Sequence, residues 1–364
     1  MTNTMNRIHN FSAGPARLPL DVLKKAKSEL TDYQNMGQSV MEMSHRSAAY
    51  TEIDQQAKSR LRSLLGLGDD FHILFLQGGA SSQFMMAPFN FLANNQTADY
   101  IDTGRWSAKA IREAEIFGNV HVPFSSDETG YDRVPTPDEL SFSDEPAYVH
   151  FTSNNTVAGT QFPTEPETNG VPLVCDASSD FLSRPIDVDK YGLIYAGAQK
   201  NVGPAGVTII ILKKDFLKNV APQRDIPTIL DYNTHTKKIF NTPPTFNVYM
   251  VNLVLEWIEN RGGINHFADF NKKKAGKIYN EIDRDDFYRG AVEKDSRSLM
   301  NVTYRLPSEE LEQQFLQEAA EQNLVALKGH RSVGGIRASI YNACPMETVD
   351  VLVGFMQNFR KENG

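Results

Sequence analysis

The sequence of 364 residues has very little cysteine and no long hydrophobic run. Its two cysteines, Cys175 and Cys344, are too few for a disulfide framework, and free thiols are typical of a reducing compartment. No apolar stretch approaches the roughly 20 residues of a membrane helix, and the amino-terminal residues have no apolar core of signal-peptide length. We therefore expect a cytoplasmic protein without a membrane segment.

Positive charge is also scarce relative to negative charge. Aspartate and glutamate number 45 against 37 for lysine and arginine, which gives a formal net charge of −8. Broad binding to nucleic acid or to an anionic membrane needs a basic face, so the charge balance argues against both. The metal motifs HExxH and CxxC are absent, as are the glycine-rich loops typical of nucleotide binding, so we expect no metal site and no nucleotide site.

Short apolar runs alternate with helix-like stretches between about residues 70 and 212. Five of these runs end in a small polar loop: HILFL before QGGASS, ADYI before DTGRW, AYVHF before TSNNTVAG, VPLVC before DASSDF, and GLIYA before GAQKNVGPAG. This alternation predicts an α/β fold with a mostly parallel sheet flanked by helices. Ligands bind at the carboxyl ends of parallel strands, so we expect the five loops to meet at one site.

The chain after about residue 260 has a different pattern. The segment LMNVTYRL predicts a strand, SEELEQQFLQEAAEQ a helix capped by Ser308, and LVALKGHRSVGGIRASIY two strands around a turn, before a last helix with one apolar stripe. A long helix ended by a glycine pair would join the two parts. We therefore predict a large domain and a smaller α+β domain, which consist of residues 16–258 and of residues 1–15 with 259–364.

One lysine lies in a setting unlike that of the others. Lys200 is within YAGAQKNVGPAG, where glycine, alanine and proline leave little side-chain bulk. A lysine amine with a pKa near ~10.4 is a poor nucleophile at neutral pH unless its surroundings lower that pKa. Asp176 ends an apolar strand 24 residues earlier, and we expect it at the same edge of the sheet.

Three further features belong to this predicted edge, although each has an ordinary structural explanation. The segment QGGASS opens a helix whose N–H groups could bind a phosphate, but a tight turn explains the two glycines as well. Trp106 could stack on a planar ring or pack in the core, and Thr156 alone indicates little. Together with Lys200 and Asp176 they suit pyridoxal phosphate: an amine for its aldehyde, a carboxylate for its ring nitrogen, a flat aromatic and a phosphate loop. The residues thus predict a fold of the aspartate-aminotransferase type.

Seven stretches of the chain match one known family in order and spacing. They are FSAGPARLP, EMSHRS, GGASSQF, TGRWS, DASSDFLSRPIDVDKYGLIYAGAQKNVGPAG, FNTPPTFNVYM and GHRSVGGIRASIYNA. Along nearly its whole length the chain resembles the phosphoserine aminotransferases, which are class-V, fold-type-I pyridoxal-phosphate enzymes. The two long blocks, residues 176–206 and 329–343, are the most specific.

This resemblance implies roles for the cofactor residues. Lys200 would bond to the cofactor and move a proton, Asp176 would pair with the ring nitrogen, and Trp106 would stack on the ring. Thr156 would hydrogen-bond near the ring hydroxyl. The family works as a homodimer, so the cofactor phosphate would be bound by one set of residues and completed by a pair from the neighbouring subunit: Ala80, Ser81 and Gln199, then Asn241 and Thr242.

The resemblance also implies the substrates. Arg337 would grip the α-carboxylate as a two-pronged fork, and four residues would form a basic pocket for the far anionic end: His45, Arg46, His330 and Arg331. The implied ping-pong reaction moves an amino group between L-glutamate and 3-phosphohydroxypyruvate, in serine biosynthesis. The family often accepts the 4-phosphohydroxythreonine pair of vitamin B6 synthesis as well. Some members have arginine at the position of Ser81, which leaves one substrate-phosphate contact open.

Other interpretations fit less of the sequence. A serine–glyoxylate-type aminotransferase of the same fold would have less use for the two histidine–arginine pairs. A cysteine desulfurase needs a mobile cysteine, but Cys175 lies at a strand end and Cys344 lies against a proline. A non-enzymatic module that binds an anion or a nucleotide would explain GGASS, but it would leave Lys200 and Asp176 without a task.

Overall fold

The computed structural model describes residues 7–219 and 224–364. The strands are β1 (His9–Asn10), β2 (Phe71–Gly78), β3 (Thr97–Tyr100), β4 (Asn119–His121), β5 (Val149–Thr152), β6 (Leu173–Asp176), β7 (Tyr191–Gly197), β8 (Gly206–Lys213), β9 (Arg289–Gly290), β10 (Asn301–Arg305), β11 (Leu324–Val325) and β12 (Ile336–Ser339). The α-helices are α1 (Leu20–Ser28), α2 (Ala48–Leu65), α3 (Ala80–Phe91), α4 (Arg105–Ala114), α5 (Lys214–Asn219), α6 (Tyr232–Lys237), α7 (Thr245–Asn260), α8 (Gly263–Ile282), α9 (Glu309–Glu321) and α10 (Met346–Asn363).

The largest sheet has seven strands in the order β2-β8-β7-β6-β5-β3-β4. Its pairs are parallel except that β8 lies antiparallel to both β7 and β2. Every residue of β5, β6 and β7 is buried, as expected for strands that helices cover on both faces. The mostly parallel, helix-flanked sheet predicted from the sequence is therefore confirmed.

The direction of the strands decides where the polar loops lie. Strands β3, β5, β6 and β7 are parallel in succession, and β2 is parallel to β7 because both are antiparallel to β8. The five loops that follow these strands therefore lie at the same edge of the sheet. This is the edge at which ligands bind in open α/β sheets.

The smaller sheets contain pairings that the sequence did not predict. Strands β12, β10 and β9 form an antiparallel sheet in that order, and β11 pairs with β1 in parallel. The two strands predicted around a turn in LVALKGHRSVGGIRASIY are β11 and β12, but each belongs to a different sheet. An isolated bridge between Lys328 and Ile336 joins the two sides of the turn, with backbone hydrogen bonds from Gly329 to Gly335 at 2.8 Å and from Arg337 to Leu327 at 2.7 Å.

Two predicted helix ends are confirmed, and one further helix was not predicted. Ser308 caps α9 by accepting a hydrogen bond from the backbone N–H of Leu311, and α7 ends shortly before Gly262, whose φ is +95°. The sequence did not predict α8, which begins at the next glycine. The lysines in the middle of this helix obscure its apolar pattern. The pattern is evident from the buried residues Phe267, Ala275, Ile278 and Ile282.

Three clusters of buried apolar side chains fill the interior. One includes α2 and α7 and a second includes α3 and α4, and they take alternate residues of the large sheet, so they lie on its opposite faces. The third cluster joins Phe11 to side chains of α8, α9, α10 and the three-stranded sheet. Within the described residues, none of the helices is both long and apolar enough to span a bilayer.

Candidate active site

Lys200 follows β7 at the edge of the large sheet where the five polar loops meet. Its Nζ donates a hydrogen bond to the hydroxyl of Thr156 and lies 5.5 Å from the centroid of the Trp106 ring. Gly14 approaches the lysine closely, since a Cβ there would be only 3.3 Å from Cγ of Lys200. The amino-terminal FSAGP segment therefore packs directly on the lysine side chain.

The surroundings of Lys200 make its amine easier to deprotonate. Burial lowers the pKa of Lys200 to about 8, with an opposing effect from the carboxylate of Asp176 and a small additional effect from Arg337. An unperturbed lysine has a pKa near ~10.4, so this amine is neutral far more often at neutral pH. Such an amine can act as a nucleophile and can both accept and donate a proton.

Asp176 is the last residue of β6 and is buried. One carboxylate oxygen accepts hydrogen bonds from the backbone N–H of Ser178 at 3.0 Å and from its hydroxyl at 2.6 Å. Burial raises the pKa of Asp176, whereas the charge of Lys200 and the bonds from Ser178 lower it. The Ser178 hydroxyl also accepts from the N–H of Gly197 on the neighbouring strand, so the carboxylate is held in one orientation.

Thr156 connects the lysine to a distant part of the chain. Its hydroxyl accepts the hydrogen bond from Lys200, and its backbone carbonyl accepts one from Nη1 of Arg337 at 3.2 Å. Arg337 lies on β12, in the three-stranded sheet. The fold therefore brings Lys200 and Arg337, which are far apart in the sequence, to the same threonine. These contacts place a cationic fork beside the lysine amine.

Two buried donors at this site have no hydrogen-bond partner among the described residues: Nε1 of Trp106 and Nε of Arg337. An unsatisfied buried donor costs roughly 1–3 kcal/mol, so a natural explanation is that a bound molecule supplies the missing acceptors. Trp106 lies in the first turn of α4, with the ammonium of Lys109 4.6 Å from its ring centroid. The site therefore has a flat aromatic ring, a carboxylate, an amine with a lowered pKa and donors without partners, which suit pyridoxal phosphate and its substrates.

The predicted phosphate residues lie at the start of α3 and beside it. Ala80 and Ser81 are the first two residues of that helix, where backbone N–H groups have no partners within the helix. Gly78 has a φ of +99°, which favours glycine, and a Cβ at Gly79 would meet open space. Gln199 adjoins Lys200, and its amide lies where a Cβ of residue 197 would be. This arrangement is typical of an anion site at a helix amino terminus.

Asn241 and Thr242 lie at the same end of the sheet within their own chain. The carbonyl of Thr242 accepts a hydrogen bond of 2.6 Å from the side chain of Gln77, at the end of β2. Thr242 is exposed and Asn241 is half-buried. Their predicted contribution to a neighbouring subunit stays a prediction.

The basic residues divide into two groups. His330 is half-buried and Arg331 is exposed. Burial lowers the pKa of His330, and the charges of its four basic neighbours lower it further: Arg105, Arg337, Arg331 and Lys109. The sequence analysis missed Arg105 and Lys109, although their spacing of four residues at the start of a predicted helix signals a shared face.

His45 and Arg46 lie on the loop before α2. Among residues 7–219 and 224–364, neither side chain makes a hydrogen bond or an ion pair. The predicted basic pocket is therefore only partly assembled by contacts within one chain. In the same described part, no three histidine, cysteine, aspartate or glutamate side chains cluster so that they could hold a metal ion.

Comparison with known proteins shows the family of this chain. Residues 8–352 match the family described as aminotransferase class-V. A phosphoserine aminotransferase from Niallia circulans is 51% identical over 98% of this chain and 99% of its own length. A solved structure of a phosphoserine aminotransferase from Bacillus circulans subsp. alkalophilus has a TM-score of 0.95 at 51% identity and covers 98% of this chain and 99% of its own.

A third relative is described with its cofactor. The phosphoserine aminotransferase of Trichomonas vaginalis, in a structure with pyridoxal phosphate bound, is 40% identical with a TM-score of 0.92, over 96% of this chain and 100% of its own. These likenesses confirm the predicted aspartate-aminotransferase-like fold. The chain therefore belongs to the class-V aminotransferases and, within them, to the phosphoserine aminotransferase family.

Proposed function

We propose that this protein is a phosphoserine aminotransferase that uses pyridoxal phosphate. In the proposed reaction an amino group passes from L-glutamate to 3-phosphohydroxypyruvate, which gives 2-oxoglutarate and O-phospho-L-serine. The observation that carries the proposal is the double contact of Thr156, whose hydroxyl binds Lys200 and whose carbonyl binds Arg337. A reactive amine and a carboxylate-binding fork are thereby next to each other, as transfer at the α-carbon of an amino acid requires.

The residues at the sheet edge would hold the cofactor. Trp106 would lie against its ring, Asp176 would face its ring nitrogen, and Thr156 would lie near its hydroxyl. The phosphate would bind at the start of α3 and nearby: to Ala80, Ser81 and Gln199, with Asn241 and Thr242 of a neighbouring subunit. When bound, pyridoxal phosphate supplies an electron sink for the carbon that loses its proton.

Asp176 and Lys200 would manage the protons. The carboxylate of Asp176 is buried and oriented by Ser178, and a cationic ring nitrogen beside it would favour its ionised form and keep the ring protonated. Lys200 would hold or release a proton at Nζ, because an amine with a pKa of about 8 can do both near neutral pH. Because Lys200 and Arg337 both contact Thr156, the amine would face the substrate carbon that the guanidinium orients.

Arg337 and the basic residues would select the substrates. Both amino donors carry an α-carboxylate, which the free Nε and a neighbouring N–H of Arg337 can bind as a fork. The far anionic group of either substrate would bind among the remaining cations: His330, Arg331, His45 and Arg46. One cationic site used in turn by two anionic substrates explains how a chain with a net charge of −8 handles them.

Several wider features belong to the same proposal. The division into a large domain of residues 16–258 and a smaller one of 1–15 with 259–364 is supported by the separate cluster that joins Phe11 to α8, α9 and α10. We also propose a cytoplasmic homodimer with shared active sites that acts in serine biosynthesis. The 4-phosphohydroxythreonine pair of vitamin B6 synthesis is a second substrate pair to assay.

The proposal is tested by substrate preference. The purified protein, loaded with pyridoxal phosphate, is assayed with 2-oxoglutarate and either phosphoserine or serine, and separately with serine and glyoxylate. We expect kcat/KM for phosphoserine to exceed that for serine by about 100-fold or more, since each charge-assisted hydrogen bond contributes roughly 1.5–3 kcal/mol. Equal or better turnover of serine with glyoxylate would instead support the glyoxylate-type alternative.

Shared active sites are tested by mixing two inactive variants. Lys200→Ala removes the lysine from its own site, and Asn241→Ala combined with Thr242→Ala removes the predicted contribution to the neighbouring site. Each hybrid dimer would then contain one intact site. After mild dissociation and mixing, a hybrid should therefore have up to about half the activity of a wild-type dimer. No recovery in a mixture shown by mass spectrometry to contain hybrids would contradict sharing.

A further inference from the structure

Lys274 is a buried lysine that the proposed chemistry does not use. It lies within α8, is 0% exposed, and its ammonium donates to three backbone carbonyls: Ile340 at 2.7 Å, Tyr341 at 2.7 Å and Cys344 at 3.2 Å. Its three N–H bonds therefore have one acceptor each, and no carboxylate pairs with it in the described part of the chain. Burying a charge is costly, so a position that only filled space would be served better by an apolar residue.

The segment 340–344 that Lys274 binds continues directly from β12, the strand that carries Arg337. It also reaches the loop of Lys200: the backbone N–H of Asn342 donates to the side chain of Asn201, the residue after Lys200, at 2.9 Å. The amide group of Asn342 donates to the carbonyl of Leu182 at 2.9 Å. The segment thus connects the strand of Arg337 to the loop of Lys200.

Two more contacts strengthen this link. Asn271, one turn before Lys274 on α8, donates to the side-chain oxygen of Asn342 at 2.8 Å. The hydroxyl of Tyr341 donates to the carbonyl of Ala13 at 2.7 Å, and Gly14 packs closely against Lys200. The segment is therefore bound to α8 and also contacts the two stretches of chain next to Lys200, which are the loop that carries Asn201 and the amino-terminal segment at Ala13.

We propose that Lys274 is a positioning residue, whose ammonium fixes segment 340–344 and so sets the position of Arg337 relative to Lys200. The inference rests on the proposed function, because it assumes that Arg337 binds the α-carboxylate of the substrate. Burial lowers the pKa of Lys274 to about 8. At neutral pH the amine is therefore still protonated in most molecules and keeps all three donors. Without these donors, the carbonyl groups at the end of β12 lose their common anchor and the fork loses its fixed distance from the amine.

Lys274→Met tests the inference, because it keeps the length and most of the volume of the side chain and removes the donors. We expect the KM for phosphoserine and for glutamate to rise about tenfold, with cofactor content unchanged. The dissociation constant of glutarate, an unreactive dicarboxylate, should rise similarly in calorimetry. The matched control is Lys277→Met, on the same helix but exposed and paired with Asp350, which should change neither constant by more than about twofold.

A double-mutant cycle separates positioning from general destabilisation. If Lys274 acts through Arg337, then Lys274→Met should have little further effect on KM in an Arg337→Ala background. Effects that multiply instead would contradict the inference. If Lys274→Met does not fold, Asn271→Ala loosens the same segment without unpairing a charge, and it should raise both KM values about threefold and show the same loss of effect.

The outcomes distinguish the inference from the function on which it rests. A raised KM in Arg337→Ala together with unchanged KM values in a folded Lys274→Met would contradict the inference alone. Unchanged KM values in Arg337→Ala would contradict the proposed carboxylate contact and the inference with it. A wild-type protein that does not transaminate phosphoserine would overturn the proposed function itself.

Discussion

Two lysines of this protein have similar acidity and different surroundings. Burial lowers the pKa of both Lys200 and Lys274 to about 8. Lys200 makes one side-chain hydrogen bond in the described residues, to the hydroxyl of Thr156, and has the carboxylate of Asp176 nearby. Lys274 donates to three carbonyl groups and is fully enclosed.

The difference shows that a lowered pKa does not by itself identify a reactive lysine. The amine of Lys200 keeps unused hydrogen-bonding capacity and lies beside other unsatisfied donors, so a bound molecule can engage it. The amine of Lys274 has no donor left, and its side chain is fully buried. One lysine is therefore suited to chemistry and the other to holding a backbone segment.

The largest expected effect comes from Lys200→Ala. The variant loses the group that would bond to the cofactor and move the proton, so we expect kcat for phosphoserine to fall by about 10⁴-fold. The variant should remain folded and should still bind cofactor, because Asp176, Trp106 and the start of α3 are unchanged. The measurement is turnover of phosphoserine with 2-oxoglutarate, and wild-type-like activity would contradict the role of Lys200.

Asp176→Asn should have the next largest effect. The amide is nearly isosteric but neutral, so it would not favour the protonated ring nitrogen that we propose Asp176 faces, and we expect kcat to fall by about 100-fold. Cofactor affinity, measured by titration of the apo-protein, should weaken much less than kcat. Asn has the same shape, so a loss of folding stability in a thermal melt would point to a structural role instead.

Arg337→Ala should affect binding more than turnover. Loss of a charge-assisted fork costs about 2 kcal/mol, so KM for phosphoserine and for glutamate should each rise about 30-fold. Arg337→Lys is the matched variant, since it keeps the charge and loses the fork, and it should recover only part of the affinity. An increase for one substrate alone would contradict a carboxylate contact shared by both.

The sequence could predict the Lys200 side of this comparison because its signals are local. Each of the five polar loops follows an apolar strand, and the rule for parallel sheets places such loops at one edge. Asp176 and Lys200 could thus be assigned to one site before any contact was known. The same rule does not give the orientation of the Asp176 carboxylate, which depends on Ser178 and on the neighbouring N–H of Gly197.

The Lys274 side could not be predicted from the sequence. Its helix was missed because charged residues obscure the apolar spacing, and its three acceptors are backbone carbonyls 66 to 70 residues away. Backbone acceptors have no signature in a sequence, and the parallel pairing of β11 with β1 was missed for the same reason. Long-range contacts of the main chain are set by packing of the whole domain and not by local pattern.

The smallest expected effect is on the pH dependence of cofactor uptake. Covalent attachment of the cofactor at Lys200 would need the neutral amine, and with a pKa of about 8 the neutral fraction rises with pH and reaches half near pH 8. The rate at which apo-protein takes up pyridoxal phosphate should therefore rise about fivefold between pH 7 and pH 8 and level off above pH 9. Lys274→Met should leave this pH profile unchanged, and borohydride reduction followed by peptide mapping should label Lys200 and not Lys274. A rate that keeps rising to pH 10 would show that burial does not lower the pKa of Lys200, and the two lysines would then differ in acidity as well as in partners.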